Sequence, residues 1–301
     1  MKKVNVVMST YNGEAYVREQ LDSILNQTYP NIHIYVRDDG SKDQTVAILK
    51  EYEKIGKITL LQGENKGFIY SFFDTLEKSG EADYYSFADQ DDIWLPEKIS
   101  YAVEKLEKAK ENIPVLYFSN YDFYNQDMEF KEHCETHAVG ASFTNSIVDC
   151  ISLGFNTVIN KCTRDMIIKD MPKFCCGHDW WSYMICTGMG EVIYDTRYTV
   201  KYRRHDNNVS PGGMSFFKLQ VWRFKKFFKD DYFNKVREQI REYQRIYGNQ
   251  LKLEDQKMLA LFGANSYHFT KAIRKVFYGK KFRQSLPDEI LVRVIFLMGK
   301  L

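Results

Sequence analysis

Short apolar runs punctuate the first 125 residues, each closed by a polar turn and followed by a stretch of helical spacing. VNVVM (4–8) ends in STYNG, and EAYVREQLDSILNQ then sets Val17, Leu21 and Ile24 along one helix face. IHIYVRDDGS (32–41) reads as a second strand. A helix follows it, with Ser41 or Asp43 as N-cap and Val46, Leu49 and Tyr52 on one side. ITLLQG (58–63) and GFIYSFFDTLEKS (67–79) repeat the strand–helix pattern. YYSFAD (84–89) and PEKISYAVEKLEKAKE (96–111) do so again, with Pro96 in the first turn of the helix. VLYFSNYDFY (115–124) is a fifth strand. Such alternation predicts a mostly parallel sheet covered by helices, with ligands at the carboxyl ends of the strands. STYNG, RDDGS, GENKG and ADQDD each follow a strand, so they should converge on one edge.

The pattern loosens between residues 126 and 213, where one helix is expected around HDWWSYMI. From Ser215 the chain reads as helical. Phe217, Val221, Phe224 and Phe228 share one face, opposite Lys218, Lys225 and Lys229. Charge divides at the same place. Residues 1–213 carry 23 Lys+Arg against 32 Asp+Glu, a net of −9, whereas residues 214–301 carry 19 against 8, a net of +11. A basic, aromatic helical region fits contact with an anionic membrane surface, and equally an ordinary helical subdomain with its lysines in water.

At 301 residues the chain has room for one large domain, or for a domain with an appendage. Six cysteines show no paired metal-ligand spacing, and Cys175 and Cys176 are adjacent. MKKVNVVMS reads directly as a first strand rather than a leader, so a reducing cytoplasm is expected. The longest apolar run, ILVRVIFLM (290–298), is interrupted by Arg293 and falls short of the roughly 20 residues that span a bilayer.

ADQDD is the strongest chemical feature. Asp89, Asp91 and Asp92 crowd together after a strand, and like charges this close raise each other's pKa unless a cation neutralises them. A capped turn before the next helix and a hard-cation site both satisfy that pattern. Asp39, Thr10 and Asn12 could likewise hold a nucleoside or simply close turns.

Taken in order, S-T-Y-N-G, R-D-D-G-S-x-D-x-T, E-N-x-G and D-Q-D-D-x-W-x-P resemble glycosyltransferase family 2 over about residues 1–210. DQDDIWLPEK, ISLGFNTVINK, GHDWW and YRRHDNNVS look most like the bacterial rhamnosyltransferases of cell-wall and capsular polysaccharide assembly. The resemblance implies a GT-A (Rossmann-like) α/β domain over residues 1–213. Its nucleotide-sugar half would span about 1–125 and its acceptor half about 126–213, with a basic, amphipathic helical region over 214–301.

It further implies an inverting transferase that uses Mn2+ or Mg2+. Thr10, Tyr11, Asn12, Glu14 and Asp39 would hold the nucleoside, bordered by Asn65 and Gly67. Asp89 and Gln90 would lie near the ribose, and Asp91 would carry the metal on the diphosphate with His205 completing the site. Asp92 is left to cap the following helix. Asp179 matches the catalytic base, Trp180, Trp181 and Asn156 the acceptor side, and Arg203 and Arg204 the diphosphate. The loop through Pro211, Gly212 and Gly213 could close over the donor.

The implied donor is dTDP-β-L-rhamnose, with UDP-hexoses behind it. The implied acceptor is a lipid-linked saccharide at the inner face of the cell membrane, and a homodimer is possible. Other classes fit less well. A nucleotidyltransferase would show a Gly-rich, basic loop after strand one, where STYNGEAYVRE has one Gly and no Lys. Phosphatases with a D-x-D nucleophile place it after the first strand. A carbohydrate- or nucleic-acid-binding module leaves four strand-end motifs unexplained, and the basic tail carries no nucleic-acid motif.

Overall fold

The computed structural model describes residues 1–134, 140–205, 232–264 and 268–301. The expected helix over 215–229, the loop at Pro211–Gly213 and the boundary between residues 213 and 214 lie outside the described residues. The chain forms two compact units. The first comprises Met1–Thr136, Ser152–Lys169 and Gly190–Asp206; the second comprises His137–Ile151, Asp170–Met189 and Asn207–Leu301.

The first unit opens with β1 (Val4–Thr10), α1 (Val17–Leu25), β2 (Ile32–Asp38), α2 (Thr45–Lys54), β3 (Ile58–Gln62), α3 (Phe68–Lys78) and β4 (Tyr84–Ala88). Every residue of β1 is buried, as befits a central parallel strand covered on both faces. Its polar Asn5 is accommodated because the side-chain amide donates to the Ser79 carbonyl. Val6 and Met8 pack with Val36, Leu21 and Ile24, so the apolar positions read as strand and helix faces meet in one core.

Next come β5 (Ile93–Trp94), α4 (Lys98–Leu106), β6 (Val115–Tyr124), β7 (Phe130–Cys134), β8 (Thr157–Asn160), α6 (Lys161–Lys169) and β9 (Glu191–Arg203); the short α5 (Phe143–Ser146) belongs to the second unit. Among the described residues one sheet runs β3-β2-β1-β4-β8-β6-β9-β5, with β7 on β6. The strands from β3 to β4 are parallel, as expected. Beyond β4 the sheet turns mixed: β8 runs antiparallel to both β4 and β6, and β5 antiparallel to β9. The pairing of Ile93 with Lys201 and of Trp94 with Val200 lays the ADQDD loop against the end of β9.

The second unit is helical. α7 (His178–Met189) joins α5, α8 (Tyr232–Tyr247), α9 (Leu253–Phe262), α10 (Phe269–Val276) and α11 (Leu286–Leu297). α7 buries His178 and every residue from Trp180 to Cys186, a helix enclosed nearly all round. The Tyr243 hydroxyl of α8 donates to the Met184 carbonyl, and Trp181 packs edge-on against Tyr243.

Candidate active site

The strand ends of the first unit meet at one edge, and much of their polarity stitches the loops together. Thr10 is paired in register with Asp38. Asp38 is saturated: one oxygen accepts from the Gly40 and Ser41 amides, the other from the Thr10 and Ser41 hydroxyls. Asn12, at a φ of 47°, donates its amide to Ser41 Oγ and accepts from Lys42 N through its side chain. Glu14 accepts from Gln44 N at 2.7 Å while its own amide donates to Asp43. The side chains of Thr10, Asn12 and Glu14 thus hold loop to loop. Tyr11 differs: its side chain is 45% exposed at this edge.

Gln90 clasps the main chain of Tyr11 from the ADQDD loop. Tyr11 N donates to its Oε1 at 2.9 Å, and its Nε2 donates to Tyr11 O at 3.1 Å. A Cβ at position 13 would lie 2.3 Å from that Oε1, so only glycine admits the clasp.

Asp39 is anchored from behind. Its Oδ1 accepts from the Arg37 guanidinium and from Lys66 N at 2.9 Å, and its Oδ2 accepts from Gly67 N at 3.0 Å. Gly67 delivers that amide at a φ of 78°, a conformation glycine reaches without strain. Asn65 Oδ1 accepts from the same amide. A carboxylate offers about four lone-pair sites, so Oδ2 keeps capacity for one further donor. Arg37 is itself buried, held by Asp74, the Glu64 carbonyl and Ser71.

The Asp91 and His205 side chains meet. Asp91 Oδ2 lies 2.8 Å from His205 Nε2, and the two side chains keep 15% and 9% exposure. The imidazole stacks on Tyr16 at 4.9 Å between ring centroids, and the Arg203 guanidinium lies 4.8 Å over the same ring. Among the described residues no third His, Cys, Asp or Glu completes a metal cluster with them. A carboxylate and an imidazole are donor types that suit a divalent cation taking its remaining ligands from donor phosphates and water.

Arg203 is buried, and its guanidinium is committed to the protein. Nε donates to the Asp91 carbonyl, Nη1 to the Gln126 carbonyl and Nη2 to Glu19. It therefore clamps the ADQDD loop to β9 and α1, whereas the sequence suggested a phosphate ligand. Arg204 lies 5.8 Å over the Phe123 ring.

Asp92 departs from its expected role as a helix cap. The N-cap of α4 is Glu97, with β5 intervening, and Asp92 is fully buried, accepting from Arg203 N at 3.1 Å. Burial, then Asp91 and Asp89, raise its pKa. Lys98 is buried beneath the same loop, its Nζ 4.5 Å over the Trp94 ring and without a hydrogen-bond partner among the described residues. Burial pulls this lysine down to about 7, opposed by the attraction of Asp92. Asp89 is half-buried at the end of β4.

The remaining expected residues divide between the units. Asn156, in the first, is buried with its amide engaged by Leu153 N and the Ser119 carbonyl, so it holds a turn rather than facing an acceptor. Asp179, in the second, is half-buried in the first turn of α7, its Oδ1 accepting from Trp180 N at 2.7 Å. That oxygen would lie 2.4 Å from a Cβ at position 177, which explains the glycine there. Trp180 donates its indole N–H to the Ser146 carbonyl, and Trp181 is wholly buried; both seat α7 in its unit, against the expectation of open faces for a sugar. Burial holds His178 neutral, pulled down to about 4.

Arg37, Tyr16 and Lys98 escaped the sequence reading. An arginine closing the apolar run IHIYV was a signal for Arg37, since a buried charge requires partners. Tyr16 and Lys98 carried none.

The model of "Glycosyl transferase family 2" matches residues 5–171. This chain belongs to glycosyltransferase family 2. A relative, the dTDP-rhamnosyl transferase RfbG of Shigella flexneri, is 30% identical over 227 residues, covering 69% of this chain and 75% of that protein. An uncharacterized glycosyltransferase of Rickettsia prowazekii, RP339, is 37% identical over 123 residues, 41% of this chain and 37% of its own length. Among solved structures, residues 1–349 of TarS from S. aureus align at a TM-score of 0.60 and 14% identity, covering 99% of this chain and 80% of that one. The mannosyltransferase PcManGT of Pyrobaculum calidifontis, in complex with GDP-Man and Mn2+, aligns at 0.54 and 15%, covering 100% and 81%. At these identities the likeness shows the fold. The family-2 chain has the α/β fold of GT-A glycosyltransferases, followed by C-terminal helices.

Proposed function

We propose that this glycosyltransferase inverts the anomeric centre of a nucleotide-diphosphate sugar, dTDP-β-L-rhamnose first, on passing the sugar to a lipid-linked saccharide in bacterial cell-surface polysaccharide synthesis. The observation that carries the donor site is the 2.8 Å meeting of Asp91 and His205 at the sheet edge where Tyr11 and Asp39 also lie. Asp39, held by Arg37 and two amides, presents its remaining lone-pair capacity to an N–H of the base, and Tyr11 offers its exposed ring. Asp91 and His205 are the residues that would hold Mn2+ or Mg2+. A bound cation there supplies charge neutralisation for the departing diphosphate.

Asp179 acts as general base. It takes the proton of the acceptor hydroxyl while that oxygen forms its bond to the anomeric carbon and the bond to the diphosphate breaks. Attack opposite the leaving group gives an α-rhamnoside from the β-linked donor. A lipid-linked acceptor implies work at the inner membrane face, with the protein peripheral to it.

The rhamnose donor is supported by the RfbG likeness. A UDP-hexose is the second reading, favoured by the fold shared with TarS, whose structure exists in complex with UDP-GlcNAc. Calorimetry of the purified chain with Mn2+ against dTDP-rhamnose, UDP-glucose, UDP-galactose, UDP-N-acetylglucosamine and GDP-mannose decides between them. Binding of dTDP-rhamnose that chelator or Asp91→Asn removes is the expected result. Binding of a UDP-hexose alone selects the second reading, and no donor binding with metal present overturns both.

A further inference from the structure

Helix α11 is apolar on two sides: Val292, Ile295 and Phe296 are buried in its unit, and a second apolar row faces outward. Leu286, Ile290, Val294, Leu297 and the following Met298 recur along one side, and they are 70%, 57%, 46%, 43% and 51% exposed. Pro287 shares this exposed arc, and Arg293, three residues after Ile290 and four before Leu297, lies at its border with its side chain 25% exposed. The charged groups of Glu289 and Arg293 are engaged within the protein. Glu289 is 6% exposed and accepts from the Phe282 and Arg283 amides and from Arg293 Nε. Arg293 donates onward to the Val276, Tyr278 and Lys280 carbonyls. A soluble helix ordinarily carries charged and polar residues on the side that faces outward.

The surroundings identify what covers this face. Residues 268–301 carry eight lysines and arginines against two acids, Asp288 and Glu289, a net of +6. Arg274, Lys281 and Lys300 are exposed, Lys280 is exposed but paired with Glu254, and Glu289 is buried and Asp288 half-buried. A second copy of the same face would bring like charges together, which disfavours self-association. An anionic surface with an apolar interior matches both properties. Neighbouring α10 adds Phe269 and Phe277, 63% and 78% exposed, to the apolar side chains turned outward. Among the described residues no helix is long and apolar enough to cross a membrane, and twelve residues of helix reach only about 18 Å. The face fits a helix that lies in the interface plane.

We infer that the outer row of α11 is a membrane-docking surface. Leu286, Ile290, Val294 and Leu297 insert among acyl chains, and the exposed lysines and arginine meet anionic headgroups. None of these residues is among those assigned to the donor, and none belongs to the stretch 215–229.

Vesicle flotation of the full chain tests it, with phosphatidylcholine vesicles compared against vesicles that also contain phosphatidylglycerol. The parent should float with the anionic vesicles and not with the neutral ones. The combined Ile290→Gln, Val294→Gln, Leu297→Gln variant should bind about 100-fold more weakly with an unchanged melting temperature. Lys281→Gln with Lys300→Gln should weaken anionic binding by about five-fold per lysine. That pair keeps the test open should the triple variant fail to fold. Three results overturn the inference: a parent that floats with neither vesicle, a folded triple variant that binds as the parent does, or light scattering that shows a parental dimer split by the triple exchange. Donor binding, measured separately, does not enter any of these outcomes.

Discussion

Asp91 and His205 are 114 positions apart in the chain and 2.8 Å apart in the fold. Two strands bring them together: β5 follows Asp91, β9 precedes His205, and the two pair antiparallel. Tyr16, stacked on the imidazole, sets the ring's orientation.

Tyr16→Leu should therefore reduce Mn2+-supported donor affinity by about ten-fold, as loss of a residue that orients a metal ligand does. Tyr16→Phe keeps the stack and should restore it. Calorimetry with Mn2+ reads this effect, and an unchanged melting temperature separates it from a general loss of folding.

Asp179→Asn preserves the shape of the first turn of α7 while removing the proton acceptor. Donor affinity should remain, and transfer should drop by about 10²- to 10⁴-fold. Equal transfer rates for variant and parent would assign the base to another residue.

Arg37→Met leaves Asp39 and Asp74 without their shared cation inside the first unit. Breaking a buried pair in this way costs about 3–5 kcal/mol, readable by urea denaturation. The same variant should raise KM for the donor more than it lowers kcat, since the guanidinium positions the carboxylate assigned to the base. Arg37→Lys keeps the charge without the fork and should recover only part of either loss.

Lys98 gives the first unit a pH-dependent stability. Its folded-state pKa is lowered by burial to about 7, whereas in the unfolded chain it is about 10.4. Between those values the unfolded state binds more protons, so this lysine makes stability rise as pH climbs from about 7 towards 10. Lys98→Met should remove that slope. It should be more stable than the parent by roughly 2–4 kcal/mol near pH 7, with the gap closing towards pH 10. Denaturation midpoints at the two ends of that range provide the check.

The parallel half of the sheet was legible because each of its strands is an apolar run with its own turn and helix, all local in sequence. The strand-end loops were legible for the same reason. What their side chains do was less so. Asp38 and Asp39 are neighbours of one residue type, yet one is saturated by its own loop and Thr10 and the other is held by Arg37, a difference set by contacts that sequence order does not reveal. The mixed half of the sheet depends on β8 and β9, which return from far along the chain. Trp181 looked like a sugar platform because an aromatic in a loosely patterned segment carries no mark of which side is enclosed. α7 is buried almost all round, and periodicity cannot orient such a helix. Arg203 looked like a phosphate ligand for a related reason: its three partners lie in three other segments.

The placement of β9 also makes donor binding a reporter of assembly. This thirteen-residue strand must join β6 along its length and β5 at its end before His205 can reach Asp91. Contacts of such separation are slow to form, so the pairing of Asp91 with His205 is expected to be completed late in folding. Sugar nucleotide, by binding only the finished arrangement, draws the folding equilibrium towards it. Cells rich in donor would thus hold more of the working enzyme, even at constant synthesis.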